Sequence, residues 1–470
     1  MSFEDQESER LSSIDRYGHK KNIIPAPVRG RFHRQRTWVQ GVLIIFFLML
    51  PWIQIRGEQA FLIDLVHGQF AIFGLRFFAH DTPMVFFVLS TAAFGLLWAT
   101  AVWGRVWCGW ACPQTVFVDG VFRRIEKWTE GDYIRRRRIA QGEPRSLTDW
   151  LRTGLKWFLF FIVSSVLAHS AIALFSGSKA LLSMMGHSPS DNWFYFVLVS
   201  SITGVLLFDF GWFREQFCVI MCPYGRFQSV LMDSTSLAVI YDEKRGEPRK
   251  GTPAAKEKGA GDCVACNRCV QVCPTGIDIR QGVQMECIAC TGCIDACDEI
   301  MEKVNKPKGL IRYGNVDGTS WKIKKPRALV YLGLLLATVT GLSWSVASRQ
   351  EIHWNLLRGQ GPVFREIKNP DGSLSYSNHL RVHLQNQTRQ AIHRRIQAFA
   401  AGQPLDITSA ENPFVASADE MKTVHLFVIF PSSLLGADGK VPIEVRLVDE
   451  TNPQNFRSQN YQLVGPSHGP

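Results

Sequence analysis

The chain has 470 residues, 46% of them hydrophobic and only 20% charged, with 31 Phe, 14 Trp and a formal net charge of +11. Its mean hydropathy of −0.00 is high for a water-soluble protein. An intrinsically disordered chain, which is poor in aromatics, is excluded, and length excludes a short disulfide-stapled secreted domain.

Residues 1–37 are a polar tail, too long to begin a signal peptide. About 20 apolar residues at about 1.5 Å rise each cover the hydrocarbon core of a bilayer. Five stretches meet that need: 38–55 (broken by Pro51), 84–103, 155–175, 193–213 and 328–347. The 61–78 stretch is apolar too, but Asp64, His67 and Arg76 interrupt it, which points to an interfacial segment or hairpin. The segments between spans carry eight, two, ten, one and seventeen Lys and Arg, starting from the N-terminal tail. By the positive-inside rule the tail, 104–154 and 214–326 are cytoplasmic, and five spans put the C-terminus outside. The positive charge then follows topology and anionic lipid. Nucleic acid is not an expected partner, because the basic residues flank spans instead of lining one groove. The four arginines at 135–138 read as a solvated, lipid-facing cluster, and 242–262 as a flexible tether.

All twelve cysteines fall in short-spaced groups on segments assigned to the cytoplasm, where thiolate ligation of metal is favoured over disulfides. Cys263, Cys266, Cys269 and Cys273, followed by Pro274, form the bacterial ferredoxin run C-x2-C-x2-C-x3-C-P. Cys287, Cys290, Cys293 and Cys297 repeat it, with Asp298 in the place of the proline. In such double runs the fourth cysteine of each serves the other cluster. One 4Fe–4S cluster is therefore expected on Cys263, Cys266, Cys269 and Cys297, and a second on Cys287, Cys290, Cys293 and Cys273. A pair of zinc sites is the competing reading, and the double spacing disfavours it.

A second repeat lies at the membrane edge. Spans two and four run into Trp107-Cys108-x3-Cys112-Pro113 and Phe217-Cys218-x3-Cys222-Pro223, offset by 110 residues, with Phe117 and Phe227 in matching places. This looks like a duplicated two-span unit. Residues i and i+4 share a helix face, so each pair can hold a soft ion. Cu(I) or an iron–sulfur centre suits such thiolates; buried, inert packing cysteines are the bland alternative. His169 and Asp209 lie within spans, and Met184, Met185 and His187 form a copper-friendly group, but a core histidine, an ion pair with a nearby Arg and an ordinary loop account for these.

After the fifth span, alternating runs at 379–384, 425–430 and 442–448 are separated by turn signals at 369–372 and 437–439, which suggests a small β-sandwich. The resulting division is a cytoplasmic tail (1–37), a four-span membrane core (38–241), a tether and two-cluster ferredoxin domain (242–326, core 262–300), a fifth span (327–348) and an external domain (355–470). The fold class is a multi-pass α-helical membrane protein with an inserted cytoplasmic ferredoxin module and a C-terminal β-sandwich.

The combination resembles the cytochrome c oxidase accessory proteins, the group called CcoG, RdxA or FixG. The features that carry the resemblance are 17–36 with Pro25 and Gly30, 104–114, 217–224, the double ferredoxin run, and an outer domain starting near Gly361-Pro362-Val363-Phe364-Arg365-Glu366. Paired C-x3-C-P motifs also occur in polyferredoxin subunits of nitrate and nitrous-oxide respiration; the C-terminal domain separates the two groups. The resemblance implies an immunoglobulin-like outer domain in the periplasm and a core in the bacterial inner membrane. It implies assembly of a cbb-type oxidase by reduction of Cu(II) to Cu(I), with Cys108, Cys112, Cys218 and Cys222 as catalytic and copper-binding residues. The implied partners are membrane lipid, a cytoplasmic electron donor, a copper transporter or chaperone, oxidase subunits and a second copy of the chain. Two other readings stay open: a quinol-linked electron conduit with a further iron–sulfur centre on those thiols, and a non-enzymatic assembly scaffold.

Overall fold

The computed structural model describes residues 23–55, 57–64, 68–78, 82–232, 236–315, 326–348, 352–370, 372–388, 390–418, 420–436 and 438–466. The tail at 1–22, and residues 371 and 437 of the two turn signals, lie outside them. The chain divides into two units, Met1–Ser345 and Val346–Pro470.

In the first unit, α1 (Arg31–Met49) is followed by a 3-10 turn at Leu50–Trp52 with Pro51 inside it. Its uncharged part, 38–49, is about 18 Å long, short of a bilayer core by itself. The 61–78 stretch is an antiparallel meander of β1 (Phe61–Asp64), β2 (Gln69–Ile72) and β3 (Leu75–Phe78). Of the two forms expected there, an interfacial segment or a hairpin, the strands make the hairpin and add a third strand to it.

Among the described residues four helices have the length and apolarity of a membrane span: Pro83–Trp103, Leu147–Ser176, Trp193–Phe213 and Pro326–Ala347. They correspond to α2 (Thr82–Trp103), α3 (Leu147–Ser176), α4 (Trp193–Phe208) with a π turn at Asp209–Phe213, and, further on, α6 (Pro326–Ala347). α3 begins well before residue 155 because Ser146 and Asp149 close a capping box, each accepting from the other's backbone N–H. Phe86, Leu89, Phe158, Phe194, Val205 and Leu336 stand exposed on these helices. Apolar surface of that extent is stable against lipid, not water.

Ion pairs knit the segments between spans. Glu126 is buried and is gripped by Arg136 and Arg214. Arg123 pairs with Glu215 and, at 3.3 Å, with Asp119, which also takes Arg36 at 2.7 Å. The 135–138 arginines are thus not simply a solvated cluster: Arg136 reaches Glu126, and Arg135 reaches Asp149. Asp209 is held by Gln114 Nε2 at 3.0 Å rather than by an arginine.

The 242–262 segment is folded, not a loose tether. It follows β4 (Leu237–Tyr241), which pairs with β5 (Ile311–Asn315) across the two ends of the module. Arg245 and Lys306 both bind Asp262, and Cys263 N donates to the Gly246 carbonyl. α5 (Gly292–Lys303) carries Cys293 and Cys297. Asp298 lies inside this helix and accepts from Gly309 N at 2.9 Å. A proline there would interrupt the helix, whereas the chain after Cys273 turns and accommodates Pro274.

In the second unit, nine strands are hydrogen-bonded together: β6 (Ile352–Arg358), β7 (Arg365–Lys368), β8 (Leu374–Asn386), β9 (Ile392–Ala400), β10 (Gln403–Thr408), β11 (Phe414–Ala416), β12 (Met421–Pro431), β13 (Lys440–Asp449) and β14 (Phe456–Val464), seven of them on the path β14-β13-β9-β10-β12-β8-β6, with β7 branching from β8 and β11 from β9. β10 pairs with β9 through residue 405 and with β12 from residue 406, so it carries the chain from one layer to the other. Leu380, Val382, Leu426, Val428, Val445 and Leu447 fill the core. The three alternating runs of the sequence lie on β8, β12 and β13.

Burial works to raise the Glu126 pKa, but Arg214 and Arg136 outweigh it and bring it to about 2. The stabilisation is present above pH 4.5, the ordinary value, and is lost as pH falls toward 2. Glu126→Gln should cost about 3 kcal/mol, because the half-buried Arg214 and Arg136 lose the anion they share and only Arg136 keeps another, Glu130 at 3.5 Å. Thermal unfolding of the detergent-solubilised chain measures this; a loss below about 1 kcal/mol would rule out a structural role for the buried pair.

Candidate metal centres

Each C-x2-C-x2-C loop bends in the same way. Ala265 and Asn267 flank Cys266 at φ 54 and 56°, and Ala289 and Thr291 flank Cys290 at 53 and 64°. Four non-glycine residues held left-handed in matching places mark a backbone shaped for a ligand, since each costs energy elsewhere regained. Cys263, Cys266, Cys269 and Cys297 line one cavity of about 360 Å³ with Ile300, Met301 and Leu310. Cys273, Cys287, Cys290 and Cys293 line a second of the same volume with Val239, Ile277 and Ile279; Cys269 also borders it. Burial pushes Cys269 up to about 11 and Cys287 and Cys297 up to about 12, so these thiols stay protonated unless a cation offsets their charge. Four thiols around each of two equal, apolar-walled cavities fit two 4Fe–4S clusters. Among the described residues no three His, Cys, Asp or Glu side chains close on a single ion.

The membrane-edge motifs are built twice. α2 ends at Trp103 and the π turn at Phe213; Gly104 and Arg214 then turn left-handed at φ 59 and 55°. Arg214 is kept there by Glu126 and by its own Nε donating to the Gly211 carbonyl at 3.0 Å. Cys112 N donates to Trp107 O at 2.9 Å, and Cys222 N to Phe217 O at 2.8 Å. Pro113 and Pro223 each open the next helix. Every one of these pairs is 110 residues apart.

The two copies exchange contacts. Gln114 Nε2 donates to Asp209 and to the Arg214 carbonyl, at the end of span four. The Tyr224 hydroxyl bonds Thr100 at 2.7 Å, at the end of span two. The Cys108 thiol donates to Gln228 Oε1 at 3.2 Å. This brings the four thiols into each other's field. Burial first, then the charge Cys112 would carry, pushes Cys108 up to about 12; burial and then Cys112 and Cys108 push Cys218 higher still. Burial raises Cys112 as well, with Cys222 adding to it. A bound cation would reverse that repulsion, so the donor set fits a soft metal, although the four do not close on one ion.

The second cavity lies against the first of these motifs. A Cβ at Gly109 would sit 2.5 Å from Ile288 O, so backbone meets backbone there and only glycine fits. Arg105 donates to the carbonyls of Met285 and Cys287. Trp110 Nε1 donates to the Tyr313 hydroxyl at 3.1 Å, and Tyr313 donates to Ala289 O at 3.3 Å. Arg36 Nη1 donates to Cys290 O at 2.8 Å. The Phe32 and His33 backbone N–H groups at the start of α1 are capped by the Asp295 carboxylate from α5. Sequence reading missed all of these. Only Arg105 and Trp110 carried a signal, their places beside Cys108.

The weaker candidates are satisfied locally. His169 Nδ1 donates to Ser165 O and His187 Nδ1 to Ser183 O, each at 2.7 Å, and Met185 is exposed.

Residues 213–316 match the family model of a 4Fe-4S dicluster domain, 85–138 that of a 4Fe-4S binding domain, and 342–466 that of the IG-like fold at the C-terminus of FixG. Fold and site thus define an iron–sulfur electron-transfer protein with membrane-type helices and an immunoglobulin-like C-terminal domain. RdxB of Cereibacter sphaeroides is 34% identical over 396 residues, 80% of this chain and 81% of its own length. RdxA of the same organism is 30% identical over 93% of this chain and 96% of its own. The nitrogen fixation protein FixG of Rhizobium meliloti is 33% identical over 76% of each. The chain belongs to the RdxA/FixG family.

Cys266→Ser and Cys290→Ser should each lower iron from about eight to about four per chain, since each removes a ligand of one four-iron cluster. Iron analysis and the reduced-cluster EPR spectrum read this. Near-normal iron in both variants would refute the two-cavity assignment.

Proposed function

We propose that the protein reduces Cu(II) to Cu(I) at Cys108, Cys112, Cys218 and Cys222, and that the cuprous ion goes to the copper centre of a cbb-type oxidase during its assembly. The observation that carries this reading is the gathering of four soft thiols at the membrane edge, directly beside the second cluster cavity. Cys263, Cys266, Cys269 and Cys297, and Cys273, Cys287, Cys290 and Cys293, would hold two 4Fe–4S clusters, which supply one-electron transfer. One electron from a cytoplasmic donor converts one Cu(II) to Cu(I). Thiolates favour the cuprous product, and Gln228 takes the Cys108 S–H bond that must open when the metal enters. Arg105, between Cys108 and Cys287, draws both thiols toward their ionised form. The partners proposed are that donor, membrane lipid, a copper transporter or chaperone, oxidase subunits and a second copy of the chain.

The topology proposed has five spans in a bacterial inner membrane, with α1 and residues 50–55 as the first. α1 is part of the bundle: Ile44 and Phe47 pack with Phe117, Phe122 and Phe160. The cavities then face the cytoplasm and the outer domain the periplasm, in accord with the Lys and Arg alternation. A reporter after Lys258 should be cytoplasmic and one after Gly402 external; the same side for both would exclude an odd number of spans between residues 258 and 402 and so remove α6 as the last span.

A second reading has support of its own. The 4Fe-4S binding model over 85–138 covers a stretch whose only cysteines are Cys108 and Cys112, which favours a further cluster on the four thiols. Replacing Cys108 and Cys112, or Cys218 and Cys222, by Ser should abolish copper binding, reduce Cu(II) reduction at least tenfold and leave about eight irons per chain. Iron above eight in the native chain, lost with those cysteines, selects the second reading. Copper reduction that survives removal of all four would overturn the first.

A further inference from the structure

The outer domain places histidines on the exposed face of one sheet. In the β8–β12 ladder His379 faces Phe427, Arg381 faces His425 and His383 faces Thr423. Alternate residues share a face, and the intervening Leu380, Val382, Val424 and Leu426 are buried in the core. His379 and His425 are therefore diagonal neighbours on the open side. Their rings meet: His379 Nε2 lies 3.0 Å from His425 Nδ1.

The His379 ring is fixed from three directions. It stacks on Phe427 with centroids 4.6 Å apart and planes 14° from parallel. The Gly359 backbone lies against it, so close that a Cβ there would fall 2.1 Å from Nδ1. Nδ1 is 3.2 Å from the Gln360 carbonyl. A carbonyl only accepts, so Nδ1 carries the proton and the Nε2 lone pair is left facing His425. Histidines that ligate metals are oriented this way, with the other ring N–H given to a carbonyl.

The nitrogen separation also has chemical meaning. Imidazole nitrogens bind a divalent ion at about 2.0–2.1 Å, so two of them at right angles lie about 2.9 Å apart, close to the spacing present. Right-angled nitrogen donors with open positions for water suit the tetragonal ions, Cu(II) or Ni(II), and Cu(II) is the tighter binder of the divalent series. We propose that His379 and His425 form a two-imidazole site for Cu(II) on the outer domain, completed by water. On binding, the His425 Nδ1 proton is given up to solvent while its Nε2 takes one, so the ring stays neutral, and the exposed His425 ring tilts so that its Nδ1 lone pair and the His379 Nε2 lone pair converge on the ion. No electron is transferred. The site stands independently of the copper chemistry proposed for the cysteines.

The test uses the full chain with Cys108, Cys112, Cys218 and Cys222 changed to Ser, so that no free thiol competes, and with no reductant present. One equivalent of Cu(II) should give an axial EPR spectrum with coupling from two imidazole nitrogens. His379→Gln and His425→Gln should each weaken binding at least tenfold and remove one of those couplings. Gly359→Ala should weaken it by displacing the ring, whereas His393→Gln, on β9, should leave the spectrum unchanged. A Cu(II) spectrum and affinity unaltered by both His379→Gln and His425→Gln would overturn the site. So would equal loss in His393→Gln, which would mean scattered surface binding.

Discussion

The contact of the Gly109 backbone with the Ile288–Ala289 backbone is the constraint on which the inner unit depends. One side lies between Cys108 and Cys112, the other between Cys287 and Cys290. With no side chain between them, two cysteine-bearing loops meet backbone to backbone. Arg105 and Trp110, on either side of Gly109, bond the module's carbonyls and Tyr313. The ferredoxin module is thereby fixed on the membrane core, and Arg36 and Asp295 fix it again through α1.

This docking explains where the charges are. Seven guanidinium and carboxylate groups lie in or near the low-dielectric border between membrane helices and module, where an unpaired charge would be costly. Each is matched: Arg36 and Arg123 on Asp119, Arg123 on Glu215, and Arg136 and Arg214 on Glu126. Such pairs add little over an apolar packing of equal volume. What they supply is one geometry, because Asp119 and Glu126 each serve two cations from separate segments. The thiols lack such close ion pairs, and burial outweighs the pull of Arg105 on Cys108 and Cys287 and pushes their proton affinities up.

Much of this was legible in the sequence, for reasons that differ by element. Cysteine spacing reflects the shape of a bound cluster, so the two quartets could be drawn from number and interval alone, and the structure gathers each around one cavity. Period-two alternation located β8, β12 and β13. The apolar lengths of α2, α3, α4 and α6 announced themselves; the first expected span, 38–55, instead became α1, which starts earlier in basic residues and ends before Pro51. The fold of 242–262 was hidden: its Lys, Glu, Gly and Pro look like a linker, and only the distant partner strand at 311–315 reveals otherwise. The arginines at 135–138 misled likewise, because their anions Glu126 and Asp149 come from other helices. Long-range polar pairs leave no local pattern.

The 110-residue duplication shows most clearly how one local design has been divided between tasks. Both copies keep the aromatic before the first cysteine, the bond from the second cysteine back to it, and the proline that starts the next helix. They differ where they face different neighbours. In the first copy Arg105, Gly109 and Trp110 touch the ferredoxin module. In the second, Arg214 and Glu215 turn instead to Glu126 and Arg123 of the membrane core, and Val219 and Ile220 take the places of Gly109 and Trp110. The exchange of Gln114 and Tyr224 across the two halves then ties the docked copy to the anchored one. A symmetric pair of thiol motifs has in this way become a directed one, with one side against the cluster cavity and the other secured in the helices.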